Sequence, residues 1–303
     1  MGLFGNYQNS GPGIDPNAPK KKPFFRFWEL LRRNFGKIIT LNMIYTGMHI
    51  PLFLSAIVFI ETNNNLTTAM TIFLLIVQFL LEGPTLAGCA RVQRLIVLDK
   101  AFFLVEEFKK GFTQNFKAAL LYWLIDGIVL ISVIAGYFVY PQFAAETGSK
   151  GIFLVYGISL AIAAVLLFMN YYIMALQAAT TLKPKTVLKN SFMLVGLSLK
   201  ECLLTTVCSA LMIGLMILLI WVNSLFMFLI PFFPAAFIGY LTMFVHYPII
   251  QKYVINPYYE DTGEKNPEAE DTAEDDEERV FTDRGGTEKP VKKDSGKRGT
   301  TIS

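Results

Sequence analysis

The chain alternates long apolar runs with short polar links, and the runs are too long and too evenly hydrophobic to be one face of a soluble helix. A hydrocarbon core of about 30 Å needs roughly 20 residues of α-helix. Six runs meet that length, at residues 38–60, 67–90, 118–140, 151–177, 202–222 and 225–250. The division between the last two rests on Asn223 and Ser224 alone, so five spans with one re-entrant element is the alternative. Two other stretches have a helical period with a polar side. Residues 24–37 place Phe24, Phe27, Trp28, Leu31 and Phe35 on one face, with Arg26, Arg32 and Arg33 around the rest, the pattern of a helix lying in the headgroup plane. In the link near residues 99–117, Leu104, Phe108, Phe112 and Phe116 recur at every fourth position, while Glu106, Glu107, Lys109, Lys110 and Gln114 take other faces. This predicts a second amphipathic helix, its stripe covered by lipid or by the underside of the bundle, its outer face a docking surface.

Composition agrees: 53% hydrophobic residues, 17% charged residues and a mean hydropathy of +0.44 exceed what a soluble domain can hide. The expected fold is all-α, a polytopic membrane helix bundle with six transmembrane helices over residues 38–256. Residues 1–23 are rich in Gly, Pro and Asn with no apolar stretch, which predicts a disordered segment and makes the first span the insertion signal. Residues 257–303 hold 14 Asp and Glu against eight Lys and Arg with few apolar positions, which predicts a disordered charged tail.

Charge then orients the spans. Of the 27 Lys and Arg, 17 fall before the first span or in the links after the second and fourth; the links after the first, third and fifth hold only Lys150. By the positive-inside rule the N-terminus, the even links, both amphipathic helices and the C-terminus are expected in the cytoplasm.

Ionisable groups inside spans are costly in hydrocarbon unless paired or hydrated, so they mark candidate chemistry. Glu82 and Asp126 qualify. Asp126 lies about 13 Å past Lys117 at 1.5 Å per residue, and Glu82 is expected at similar depth. Arg91 and Arg94 can snorkel toward them, His246 reaches the same level, and Asn170 and Gln177 can join by hydrogen bonds. Glu82, Arg91, Asp126, Asn170 and His246 form either a cytoplasm-facing site for a solute or proton, or a helix lock; the lock is favoured, because a transport path usually carries more polar residues. His49, two residues before Pro51, is either a proton relay or a neutral partner for a carbonyl freed by the proline. No nucleophile elbow, HExxH or glycine-rich phosphate loop supports an enzyme. The three Cys show no CxxC and no His cluster, so no metal site and no cofactor is expected. The basic residues are accounted for by topology, which disfavours nucleic acid as a partner.

The order "LNMIYTGMHIP", then "GPTLAG" before Arg91, then "FFLVEEFKKGFTQNFKAALLYW" resembles the YesL family of bacterial membrane proteins. The residues that carry the likeness are Gly83, Pro84 and Gly88 at a Gly-Pro helix end, and Phe108, Lys109, Phe112, Asn115, Phe116 and Lys117 in the entry to the next span. "LKNSFMLVGLSL" and "FFPAAFIGYLTMFVHYPIIQKY" extend it, so that it covers about residues 24–256. The resemblance implies a bacterial cytoplasmic membrane protein. The family is itself of unknown molecular function, with a contextual link to carbohydrate uptake. The favoured expectation is an accessory or assembly component whose cytoplasmic helices bind a membrane partner such as a transport system; the alternative is a small transporter working around Glu82 and Asp126.

Overall fold

The computed structural model describes residues 22–264 apart from Thr62, Asn63 and Lys150, together with Asn266 and Glu268. The expected N-terminal segment and most of the acidic tail lie outside the described residues. Lys22–Thr262 forms one compact unit. Every regular element in it is helical.

Helices α1 (Pro23–Arg33), α2 (Phe35–Met48), α3 (Ile50–Glu61), α4 (Asn65–Val97), α5 (Leu104–Gln114), α6 (Phe116–Thr147), α7 (Ile152–Ala179), α8 (Pro184–Leu197) and α9 (Leu199–Val222) follow in order. A six-residue 3-10 helix, Ser224–Leu229, leads to α10 (Pro234–Ile250), a single π-helical turn at Gln251–Ile255, and α11 (Asn256–Thr262). Four helices, α4, α6, α7 and α9, are each long and apolar enough to cross a membrane. Helices α2 and α3 add a fifth crossing if taken as one span bent by 44°. The mid-portions of these helices present bare apolar side chains such as Ile131, Ile162 and Leu211, as helices facing lipid do.

Helix α4 is the hub, packed by α2, α3, α5, α6, α7 and α10. The Gly83-Pro84 pair does not end it: the helix runs unbroken through both. Proline removes only its own N–H and one carbonyl's partner, a cost a packed membrane helix absorbs. Gly83 serves instead as a point of close approach, since a Cβ there would lie 2.5 Å from the Ala119 carbonyl oxygen of α6.

Helix α4 closes with a Schellman pattern, Asp99 N–H to Ile96 O and Lys100 N–H to Leu95 O, with Asp99 at φ 60° in the left-handed position that glycine usually fills. Asp99 so placed accepts from Arg26, at 3.1 Å, and from Arg33, tying α1 to the end of α4.

The broad aromatic face of α1 divides between two environments. Phe27, Leu30 and Leu31 turn into the core, Phe27 against Phe237, Tyr240 and Phe244, while Phe24 and Trp28 stay outside. The predicted second amphipathic helix is α5, and it ends one turn early. Asn115 leaves helical geometry, so Phe116 belongs to α6, and Asn115 Oδ1 accepts from Gln177 Nε2 of α7 at 3.1 Å. Phe108 is buried against α4 and Phe112 packs beside it. Gly88 and Gly111 allow this contact: a Cβ on Gly88 would meet the Phe108 ring at 2.8 Å, and one on Gly111 would meet Ala87 O at 2.9 Å.

Candidate functional site

The polar groups expected to share one site sit in three places. The first is mid-way along α4, where Glu82, 7% exposed, faces the break between α2 and α3. Its Oε1 accepts from Tyr45 Oη at 3.0 Å and its Oε2 from Gln78 Nε2 at 2.8 Å. His49 caps α2 at the bend and places Nε2 2.8 Å from Glu82 Oε2, while its Nδ1 lies 2.8 Å from the Tyr45 carbonyl. Two pairs of polar residues, each four apart and so on one helical face, meet across two helices: Tyr45 with His49, and Gln78 with Glu82. That spacing was a readable signal. Sequence reasoning named Glu82 and His49 separately and missed Tyr45 and Gln78.

Asp126 of α6 forms the second group, its Oδ1 accepting from Asn170 Nδ2 of α7 at 2.9 Å. It borders a half-open cavity of about 410 Å³ lined by residues of α2, α4, α6, α7 and α10. Tyr45, Gln93, Trp123, Asn170 and Tyr171 contribute polar and aromatic wall, and Ala235 and Ala236 bring the first turn of α10 to it. Trp123 Nε1 is buried and meets no acceptor. Measured along their helices at 1.5 Å per residue, Tyr45, Leu86, Asp126 and Asn170 all stand ~15 Å from the helix ends that adjoin the amphipathic segments. Helix α10 therefore starts inside the bundle, level with points about a third of the way along α4, α6 and α7. Its first turn is capped from outside: Asn42 of α2 accepts from Ala236 N–H and donates to Ile230 O, both at 2.7 Å. Pro234, in the first turn, has no N–H to satisfy.

His246 of α10 makes the third group and does not reach Glu82 or Asp126. Its Nε2 meets Thr205 Oγ1 of α9 at 3.1 Å and its Nδ1 meets Tyr172 Oη of α7 at 2.8 Å, with Tyr171 stacked on the ring. Tyr172 Oη also bonds Ser198 Oγ. All but Tyr171 in this set are almost completely buried, and the set pins α7, α9 and α10 together.

The arginines turn away from the acids. Arg91 Nε donates to Glu107 Oε2 of α5 at 2.7 Å, and Lys110 Nζ to Glu107 Oε1 at 2.8 Å. Burial works against charge on Glu107, but the Lys110 ammonium and the Arg91 guanidinium outweigh it and hold the carboxyl below its usual range. Arg94 donates to Tyr247 Oη of α10 at 2.7 Å and to Ala178 O of α7 at 3.2 Å. Of the motif residues, Lys109 and Lys117 are exposed, and Asn115 marks the junction of α5 and α6.

The arrangement offers two kinds of chemistry. The cavity is largely apolar with Asp126, one oxygen of which is engaged by Asn170, at its edge, and the Glu82 group is a carboxylate on which three side-chain contacts converge. No family model matches the chain, and no curated protein or solved structure matches it.

Proposed function

We propose that this is a six-crossing protein of the bacterial cytoplasmic membrane, with both described ends on the cytoplasmic side, which binds a small hydroxylated solute in the cavity beside Asp126. The sixth crossing is discontinuous, an exposed 3-10 segment leading into α10, whose first turn lines the cavity. Broken helices whose first turn lies within the bundle are found where membrane proteins bind solutes.

One observation carries the reading: a cavity within the bundle bordered by the Trp123 indole and by a carboxylate, Asp126, of which a single oxygen is engaged by protein. Its volume falls within the usual range for small-molecule sites. Aromatic rings beside a carboxylate and two amides suit a ring that carries hydroxyls, which agrees with the carbohydrate context implied by the resemblance to the YesL family. The test uses the full chain in liposomes with Trp28 and Trp221 replaced by Phe, leaving Trp123 as the only indole among the three Trp. Monosaccharides or disaccharides added to it are expected to change Trp123 emission in a saturable way, and Asp126→Asn to weaken that response at least about tenfold. No saturable change across the sugars removes the solute reading.

The accessory reading stands second. What favours it is the outer face at the start of α5, where Phe103 and Val105 are exposed beside Glu106 and Lys109. It predicts that reversing charge at Glu106 and Lys109 abolishes co-purification of a membrane partner, while Asp126→Asn has no effect.

A further inference from the structure

The geometry around His49 determines where its hydrogens are. Nδ1 lies 2.8 Å from the Tyr45 carbonyl oxygen, and a carbonyl only accepts, so Nδ1 carries a hydrogen. Nε2 lies 2.8 Å from Glu82 Oε2. Two lone pairs at that distance would repel, so one proton stands between Nε2 and Oε2, formally on either atom. The two residues together are then neutral, which is what a low-dielectric interior permits.

We propose that Glu82 and His49 form a one-proton binding site inside the membrane. The ligand is a proton, taken up between Nε2 and Oε2 and released from there to water, while Nδ1–H stays fixed on the Tyr45 carbonyl. On release the N–H or O–H bond breaks, its electron pair stays on the atom that held it, and the pair goes from neutral to a single negative charge. Tyr45 connects this site to the cavity, since it lines the cavity wall and donates to Glu82 Oε1. Release also acts on the backbone. It leaves an imidazole lone pair facing a carboxylate, so the ring must swing from Oε2, and the 44° bend that His49 caps moves with it.

The surroundings hold few competitors. Tyr45 comes from α2, Cys89 from α4 and Asp126 from α6, across the cavity. Helix α10 brings His246, held by Thr205 and Tyr172, with Tyr240, which donates to Phe27 O, and Tyr247, which accepts from Arg94, and α7 brings tyrosines. Helix α5 keeps Glu107 and Lys110 with Arg91, and α3 has no ionisable residue before its last. The proton site does not depend on the cavity's ligand; a cavity that binds no sugar leaves it untouched.

The test is histidine-selective 15N labelling of the full chain in bilayers. The chain has two His, and His49→Gln assigns the signals by loss. Nδ1 of His49 is expected to read as protonated throughout, and Nε2 alone to pass through one step between about pH 5 and pH 10. Glu82→Gln should displace the midpoint by at least about one pH unit, and Asp126→Asn should leave it in place. An Nδ1 that loses its proton, an Nε2 without a step, or a midpoint indifferent to Glu82→Gln overturns the proposal. Should Glu82→Gln not fold, Tyr45→Phe removes one donor to the carboxylate; a midpoint it leaves unmoved overturns the proposal equally.

Discussion

At the scale of single residues, contact distances decide which glycines matter. Gly83 abuts backbone of α6, where nothing can yield, whereas Gly214 of α9 has open space around its Cα. Gly83→Ala is therefore expected to destabilise the protein by about 1–3 kcal/mol through overpacking, and Gly214→Ala to change stability by less than about 1 kcal/mol. Thermal unfolding of both variants in the same detergent checks the difference. Glu107 supplies a pH dependence. Its carboxyl is depressed in the folded state, so the unfolded chain binds more protons in the window between the depressed value and the ordinary one near about 4.3. The stability it contributes is thus fully present above that ordinary value and lost as pH falls through the depressed one. Hydrogen exchange of α5 should quicken as the protein is taken down through that window, and in Arg91→Gln the dependence should flatten.

The same scale shows what could be read in advance. Glu82, Asp126, Asn170 and His246 were all recognisable as polar groups within apolar runs, and their depths come from counting residues. Depth along a helix says nothing about rotation around it, however. Glu82 looks toward α2 and Asp126 toward α7, and by residue count Glu82 stands about one turn further along its helix than Asp126, so the two acids do not share the expected height. The partners that do meet were legible only as pairs four apart, Tyr45 with His49 and Gln78 with Glu82.

At the scale of elements, hydrophobic runs located the helices well and their interruptions badly. Gly83-Pro84 looked like an end and is the packed middle of α4, because the neighbours of a membrane helix, not its own propensity, decide whether it tolerates proline. The reverse error lies at residues 225–250. That run is apolar throughout, so hydropathy counts it as one helix; Pro231 and Pro234 were the available sign of a break before α10. What holds that break is Asn42, which spans the gap with two hydrogen bonds from another helix. Asn42→Ala leaves a carbonyl and an N–H without partners in a buried place and should cost about 1–3 kcal/mol. Its exchange signature should be confined to residues near 230–237. Asn42→Asp keeps the acceptor for Ala236 N–H and loses the donor to Ile230 O, so fast exchange spread evenly over all helices in either variant would contradict the capping role.

For the whole molecule, the question is which ends of the helices lie together. Asp99 at the end of α4 holds Arg26 and Arg33 of α1, Gln177 near the end of α7 holds Asn115 at the start of α6, and Arg94 of α4 holds both Ala178 O and Tyr247. These links gather the start of α2, the end of α4, the start of α6, the end of α7 and the end of α10 on one side of the bundle, the side that carries the basic segments. In the proposed topology the basic side is the cytoplasmic one, as the positive-inside rule expects. In the six-crossing topology proposed above, α10 returns toward the basic side after α9, and the bonds of His246 to Thr205 in the second turn of α9 and to Tyr172 two turns from the end of α7 support that reading. The consequence can be measured with single cysteines in a variant lacking Cys89, Cys202 and Cys208. Cysteines at Ser149 and Asn223 are expected to react with a membrane-impermeant maleimide applied outside intact cells, and those at Thr113 and Tyr258 to react only after the membrane is opened. Labelling of Tyr258→Cys from outside would put the end of α10 across the membrane from Thr113 and refute a discontinuous sixth crossing, whatever the cavity binds.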